Sequence, residues 1–314
     1  MNESYSRRNF LFRSAAVAGA VALGADPRAT ARAAGESTEM AIAKWSGSGT
    51  PSASEIEKAA VRMTEQAIDA LGGMKRFVSR GSVVWIKPNI GWDRSPELAA
   101  NTNPDVVATL IRLALDAGAK SVKVGDNPCD LAQKTYATSG IADAAKKAGA
   151  EVLFLDRSRF REMNIRGERV TSIPVFPGIV ECDLVINVPV VKHHGLAGAT
   201  MCMKNYMGVI ENRKLFHQDI SNCLVDITRF MKPQICLLDA VRILKDHGPK
   251  GGKPEDVALT MTLAAGVDPV ALDAWGAEVL GRKPQEIESI VKGDKAGLGK
   301  MDYRSLALKE IAVS

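Results

Sequence analysis

The segment from residue 192 to residue 217 holds the densest set of chemically active side chains in the sequence. It contains Lys192, His193, His194, Thr200, Lys204, Asn205 and His217. A neutral imidazole binds a metal ion or moves a proton near neutral pH, and a lysine ammonium attracts a carboxylate or a phosphate. If residues 196–208 form a helix, Thr200, Lys204 and Gly208 share one of its faces, and its free amides also favour an anion. The segment therefore predicts a site for a negatively charged ligand.

Further candidates follow short apolar runs that resemble buried strands. Lys87 and Asn89 follow one such run, Asp126 follows the next, and Asp239 follows another. The carboxyl ends of parallel strands meet at one edge of a sheet, where ligands commonly bind. A single Asp or Asn at a strand end often only caps a turn. Several of them together favour a shared site at that edge.

The residue types divide into three sets of predicted roles. We assign catalytic roles to His194, His217, Asp126 and Asp239, with a histidine as ligand or proton shuttle and an aspartate as its partner carboxylate. We assign ligand or cofactor binding to Lys87, Asn89, Lys192, Thr200, Lys204 and Asn205, and a metal site to His193, His194 and His217. Adjacent residues of an extended segment point to opposite sides, so only one of His193 and His194 should enter the site. We favour His194.

Two other features have alternative interpretations. Residues 247–252 read His-Gly-Pro-Lys-Gly-Gly and form either a plain turn or a lid over the site. Asp273 lies among apolar residues of a predicted helix, so it either faces the site or pairs with a lysine.

The pattern of apolar residues predicts an α/β fold with a mostly parallel sheet and helices on both faces. Short apolar runs near residues 83–86, 122–125, 152–155, 184–188, 235–238 and 257–263 alternate with helical patterns. Residues 157–178 break this alternation and predict a small hairpin insertion. Residues 35–52 are rich in Ala, Gly, Ser and Thr and resemble a linker, so we expect a single domain over residues 53–314.

Residues 1–34 have the layout of a twin-arginine signal peptide. Arg7 and Arg8 precede an apolar run over residues 11–25, and a small-residue segment ends at Ala34. The run is shorter than the roughly 20 residues that span a bilayer. We expect the twin-arginine translocase to export the folded chain to the periplasm or another extracytoplasmic space.

Composition and cysteine spacing exclude several classes of protein. The net charge is +5, but residues 1–34 carry five arginines and two acidic residues, which leaves +2 for the rest. This balance, with 5% aromatic residues, argues against nucleic-acid binding. No Cys-x-x-Cys pair is present among the five cysteines, so the sequence has no self-contained iron–sulfur cluster motif. No later segment is apolar enough for a membrane span, and the cofactor stays unknown.

Several of these residues resemble the domain of unknown function family 362. The likeness covers roughly residues 83–281 and rests most on Lys204-Asn205 followed by Gly208, and on Asp268-Pro269-Val270-Ala271. Many members of that family carry an adjoining ferredoxin-type domain and are suspected of catalysing redox reactions. The resemblance therefore implies redox chemistry for this protein. The chain lacks the cysteines of such a domain.

Together these features predict an exported enzyme with an anionic substrate or cofactor, with or without a metal, at the edge of the sheet. An oxidoreductase is the leading expectation, with a separate redox partner as an option. The alternative is a non-catalytic periplasmic protein that binds a small anion or a metal complex.

Overall fold

The computed structural model describes residues 37–314, which form a ten-stranded mixed sheet and a separate two-stranded hairpin. The strands are β1 (Met40–Trp45), β2 (Val83–Pro88), β3 (Ser121–Val124), β4 (Glu151–Val152), β5 (Arg161–Asn164), β6 (Ser172–Val175), β7 (Leu184–Val188), β8 (Val190–His194), β9 (Gly198–Thr200), β10 (Ile235–Leu244), β11 (Val257–Gly266) and β12 (Leu308–Val313). The order is β12-β1-β11-β10-β7-β2-β3-β4, with β8 beside β10 and β9 paired to β8.

Most of this sheet is parallel. Strands β10, β7, β2, β3 and β4 run in one direction, and β8 is parallel to β10. Strand β11 is antiparallel to both β10 and β1. The predicted α/β fold with a mostly parallel sheet is confirmed.

Helices pack on both faces of the sheet. They are α1 (Ala53–Ala70), α2 (Pro104–Asp116), α3 (Ala132–Thr138), α4 (Ile141–Lys147), α5 (Pro177–Val180), α6 (Cys202–Asn205), α7 (Lys214–Gln218), α8 (Ile220–Met231), α9 (Pro269–Val279) and α10 (Glu288–Lys295). Val84 and Ile86 of β2 pack in one core with α1, α2 and α4, whereas Trp85 between them packs in another with α8. This alternation follows from the pleat of the strand, which points successive side chains to opposite faces.

Two helices begin at an aspartate or asparagine followed by proline, as the sequence indicates. The Asn103 side chain accepts hydrogen bonds from the first amides of α2, and Asp268 does the same for α9. Proline at the next position needs no hydrogen-bond acceptor and already has a helical φ. These caps fix the N-termini of α2 and α9.

The expected hairpin insertion is present as β5 and β6, which pair antiparallel to each other outside the main sheet. Phe160, Ile173 and Val175 from this segment are buried together with Trp85 of β2. The insertion therefore covers the face of the sheet that carries Trp85 and extends the apolar core there.

The predicted linker over residues 35–52 is wrong for its central part, because residues 40–45 form β1. This strand lies between β11 and β12 and pairs with both. Met40, Ala41 and Ala43 are buried. Small residues resemble a linker by composition, but in this strand they allow close packing between the sheet and α1.

The predicted signal peptide over residues 1–34 lies outside the described residues. Within residues 37–314, no helix combines the length and the apolar character that a membrane span requires.

Candidate functional site

A cavity of about 290 Å³ lies at the carboxyl ends of β2 and β3. Its walls are Asn89, Gly91, Trp92, Asp126, Asn127, Cys129, Lys192, His194, Thr200, Lys204, Asn205, Met207, Gly208, Arg213, His217 and Pro249. An outer hollow shares Asn127, Cys129, Arg213 and His217 with this cavity. The cavity thus brings together eight of the eleven site residues that the sequence predicts.

A buried ion pair between Lys87 and Asp126 supports the cavity. Lys87 Nζ lies 2.7 Å from Asp126 Oδ1, and both side chains are almost fully buried. The other carboxylate oxygen of Asp126 accepts a hydrogen bond from the amide of Ile90. Burial lowers the pKa of Lys87, and the nearby carboxylate opposes this effect. Because the pair is internally neutral, Lys87 adds little net charge for a ligand.

Gly208 is required by the close approach of this ion pair. A Cβ atom at this position would lie 1.7 Å from Asp126 Oδ1 and 2.6 Å from Lys87 Nζ. The turn after α6 packs its backbone directly against the pair, so only glycine fits. The short spacing between Lys204 and Gly208 therefore places Lys204 at the cavity while Gly208 packs against the ion pair beneath it.

Asparagine side chains connect the strand ends to α6. Asn205 donates hydrogen bonds to the carbonyl of Lys87 (3.1 Å) and to Asn187 Oδ1 (2.9 Å). Its own Oδ1 accepts a hydrogen bond from Asn89 Nδ2 at 3.0 Å. Asn89 and Asn205, both predicted ligand-binding residues, therefore act in this structure as positioning groups within one polar network.

Lys192 lies at the inner wall of the cavity and is 1% exposed. Its Nζ donates to Asn89 Oδ1 at 2.9 Å and to the carbonyl of Ala100 at 2.6 Å. Burial, reinforced by the charge of Lys204, lowers the pKa of Lys192 to about 7. The neutral and the charged form of this amine are therefore close in free energy near neutral pH.

Lys204 and Arg213 carry positive charge without a carboxylate partner among residues 37–314. The hydrogen-bond acceptor of Lys204 is Met207 Sδ, at 3.6 Å from Nζ. Burial and the nearby Arg213 lower the pKa of Lys204 to about 8. Arg213 donates to the carbonyls of Met207 and Asn127, and its Nη1 lies 3.3 Å from Cys129 Sγ. Both cations remain available to an anion.

His194 enters the cavity, but its hydrogen bonds argue against the predicted roles in metal binding and proton transfer. The Nδ1 atom accepts from the amides of Leu196 (3.2 Å) and Ala197 (3.1 Å), which places the ring proton on Nε2. Burial, aided by the charge of Lys204, lowers the pKa of His194 to about 3. His194 is therefore a neutral hydrogen-bond donor with a fixed tautomer.

The predicted metal site of three histidines does not form. His193 points to the other side of β8, where its Nδ1 accepts from the amide of Gly248 at 3.1 Å. His217 lies at the cavity wall, where burial and then Lys204 lower its pKa. Within residues 37–314, no three His, Cys, Asp or Glu side chains are grouped to hold a metal ion. Alternation along β8 separates the adjacent histidines, as the extended geometry predicts.

Asp239 lies outside the cavity, so its predicted catalytic role as a partner carboxylate is not supported by its position. Its two carboxylate oxygens accept from the amides of Asn103 (2.8 Å) and Val241 (2.9 Å). Burial raises the pKa of Asp239 to about 6. The residue joins β10 to the start of α2.

The loop over residues 247–252 contributes Pro249 to the cavity wall. Lys250 fastens this loop through an ion pair with Asp130 at 3.2 Å and lies 5.4 Å from the centre of the Trp92 ring. This position agrees with the interpretation of residues 247–252 as a lid over the cavity and not as a plain turn. Asp273, by contrast, accepts hydrogen bonds from the amides of Cys202 and Met203 and lies outside the cavity.

The sequence alone did not reveal Cys129 and Arg213 as cavity residues. Cys129 follows Asp126 by three positions on the same loop, and Arg213 precedes His217 by four. Residues 196–208 also differ from the single helix considered above, because they form β9, α6 and a 3₁₀ turn. Thr200 and Lys204 still reach one cavity, but from different elements.

A family model described as a domain of unknown function (DUF362) matches residues 84–278. The chain belongs to the DUF362 family. A thylakoid-associated protein of Synechocystis sp. is 27% identical over 247 residues, which are 74% of this chain and 73% of that protein. A crystal structure of a Thermotoga maritima protein has 10% identity and a TM-score of 0.35, and the match covers 77% of this chain and 59% of that one. DUF362 membership matches the resemblance seen in the sequence.

Proposed function

We propose that this DUF362 protein is an enzyme that binds a small anionic substrate, a carboxylate or a phosphate, in the cavity. The observation that carries the proposal is the grouping of Lys192, Lys204 and Arg213 around one cavity without ion-pair partners in the described part of the chain. Charges of one sign that are partly removed from water repel each other, and an anion relieves this repulsion. The volume of about 290 Å³ suits a small ligand.

Lys192 favours an enzyme over the alternative, a binding protein for a small anion. A protein that only holds an anion gains most from lysines that stay fully charged. The pKa of Lys192 is lowered to about 7, so a large fraction of this amine is neutral at neutral pH. Groups that titrate near the working pH are the ones that transfer protons or act as nucleophiles.

Export by the twin-arginine translocase and a redox reaction are further parts of this proposal. Arg7-Arg8 and the apolar run behind them support export in the folded state. The Synechocystis relative is described as thylakoid-associated, which agrees with work at or beyond a membrane. The family resemblance supports redox chemistry, with electrons exchanged through a separate partner, and this part rests on the resemblance alone.

Cys129 offers a direct test of anion binding. Its thiol is exposed at the cavity, whereas the other four cysteines are buried. Iodoacetate carries a carboxylate, and iodoacetamide is a neutral reagent of similar size. For each thiol, the rate with iodoacetate is divided by the rate with iodoacetamide. We expect this ratio to be about tenfold higher for Cys129 than for the thiol of glutathione, because the cavity cations attract the carboxylate of iodoacetate. Peptide mass spectrometry at timed intervals measures both rates.

Two variants and one competitor complete this experiment. Lys204→Met removes one cavity cation and should lower the ratio several-fold, whereas Lys146→Met on the exposed end of α4 should leave it unchanged. Malonate, an unreactive dicarboxylate, should slow the iodoacetate reaction. A ratio equal to that of glutathione, with no protection by malonate, would contradict the proposal.

A further inference from the structure

The Nζ atom of Lys192 has a hydrogen-bond arrangement that suits a neutral amine. A neutral amine has two N–H bonds and one lone pair. Asn89 Oδ1 and the carbonyl of Ala100, at 2.9 and 2.6 Å, accept two hydrogen bonds from this nitrogen. Lys192 lines the same cavity as Lys204 and Arg213. The charged form carries a third N–H, for which the described residues supply no further acceptor, and the neighbouring Lys204 cation disfavours that form.

We propose that Lys192 forms an imine with the carbonyl carbon of a small oxo acid bound in this cavity. The inference rests on the proposed function, because Lys204 and Arg213 are needed to hold the carboxylate of that oxo acid. It narrows the substrate class from any small anion to a carboxylate that carries an aldehyde or ketone.

The reaction balances without an oxidant or a reductant. The Nζ lone pair attacks the carbonyl carbon, a C–N bond forms, and the carbonyl oxygen takes up a proton. The second step breaks the C–O bond, and the oxygen leaves as water with both hydrogens of the original amine. These two steps leave a neutral imine, and its nitrogen takes up one proton from water. The protonated imine withdraws electrons from the neighbouring carbon, so a C–H or C–C bond at that carbon becomes easier to break.

Other cavity groups match the needs of this reaction. Thr200 is 3% exposed, and its Oγ1 has no hydrogen-bond partner within the described residues. A buried hydroxyl without a partner is costly, and a ligand oxygen would satisfy it. His194 offers a neutral N–H that stays fixed because Nδ1 is occupied. Hydroxyl and imidazole thus supply donors for the carbonyl oxygen as it gains charge.

The two other lysines of the site are less suited to this step. Lys87 is held by Asp126 at 2.7 Å and lies beneath the cavity wall. Among residues 37–314, Lys204 has no oxygen acceptor that would orient its amine, and its pKa stays higher, at about 8. A second cation next to a lysine favours the neutral amine, so Lys204 promotes the nucleophilic form of Lys192.

Reductive trapping tests this inference on the full chain. The protein is incubated with glyoxylate, pyruvate or 2-oxoglutarate together with sodium cyanoborohydride, which reduces an imine to a stable amine. We expect one adduct per chain, located on Lys192 by peptide mass spectrometry, with at least one of these acids. Lys192→Met should abolish this adduct, and Lys204→Met should slow its formation about tenfold. Exposed lysines such as Lys146 and Lys147 give the background rate.

The outcomes separate this inference from the proposed function. Adducts only at the background rate, while malonate still protects Cys129 from iodoacetate, would overturn the imine and leave anion binding intact. Failure of both experiments would overturn both. If Lys192→Met does not fold, inhibition of the wild-type adduct by malonate replaces the variant, and an adduct that forms equally fast with malonate present counts against the inference.

Discussion

At the scale of residues, the environment of each lysine decides its role more than its position in the sequence. Lys87 and Lys192 are both buried, yet Lys87 faces a carboxylate and Lys192 faces neutral oxygens and other cations. Burial lowers the pKa of both amines, but at Lys87 the Asp126 carboxylate opposes this shift and forms a structural pair with the lysine. Lys192 has no ion pair within the described residues, and its pKa falls to about 7 at the wall of the cavity.

Anion binding should therefore be coupled to proton uptake. Malonate favours the charged form of Lys192 and raises its pKa, so at about pH 7.5 the complex takes up a fraction of a proton. The sign follows from the lowered pKa of the free protein, and malonate affinity should rise as the pH falls from about 9 to about 6.5. Titration calorimetry in two amine buffers with different heats of ionisation measures the uptake.

Lys192→Met should remove most of this coupling, whereas Lys146→Met should retain it. Lys204, with a pKa of about 8, adds a smaller contribution at this pH. Equal apparent binding heats in both buffers for the wild-type chain would contradict the protonation of cavity lysines by the ligand.

Residue types alone could identify the cations of the site but not the tautomer or the hydrogen-bond partners of its histidines. Alternation along an extended strand predicts that only one of His193 and His194 enters the site, and in the structure His194 lines the cavity whereas His193 does not. The backbone amides that bind His194 Nδ1 come from a turn whose shape is not visible in the sequence. Asp239 also looked like a site residue because it follows an apolar run, but its contacts depend on where α2 begins.

At the scale of elements, the turn after α6 joins the cavity to the buried ion pair. Gly208→Ala would place a Cβ atom 1.7 Å from Asp126 Oδ1, in contact with the side chains of Lys87 and Asp126, which cannot move apart without breaking the pair. We expect this substitution to lower the free energy of unfolding by about 3 kcal/mol or more. Unfolding in urea, followed by circular dichroism, measures the change.

Gly195→Ala is a matched control for this substitution. Gly195 lies in the turn between β8 and β9, near the same cavity, and a Cβ atom there has nothing within 4 Å. Its effect on the free energy of unfolding should stay within about 1 kcal/mol. Similar losses for both alanine variants would mean that the ion pair does not restrict residue 208.

Strong hydrophobic patterns predict most of the strands, whereas the weak pattern of β1 does not reveal that strand. The runs at β2, β7 and β10 are short but strongly apolar, so their assignment needs no tertiary information. Strand β1 reads Met-Ala-Ile-Ala-Lys-Trp and is followed by a run of Ser and Gly residues, so its local pattern is weak, and its assignment depends on partners more than 200 positions away in β11 and β12. Pairing at that distance is invisible to local patterns.

At the scale of the whole molecule, β1 joins two parts of the chain that are far apart in sequence. It is parallel to β12 near the C-terminus and antiparallel to β11 on the other side. Its side chains also pack in the same core as α1 and α2. The sheet that positions the cavity therefore takes its strands from the whole range between residue 40 and residue 313. Residues 40–45, which the composition predicts to be part of a linker, belong to this sheet.

This arrangement predicts a large effect for a charge inside β1. Ala43 is fully buried between the sheet and α1, so Ala43→Asp would bury an unpaired carboxylate. We expect a loss of about 3 kcal/mol or more in the free energy of unfolding, measured in urea. Lys44→Asp places the same carboxylate on the exposed side of the strand and should change the value by less than about 1 kcal/mol. A small loss for Ala43→Asp would show that β1 does not unfold together with the rest of the sheet, and the cavity would then depend on β2, β3, β7 and β8 alone.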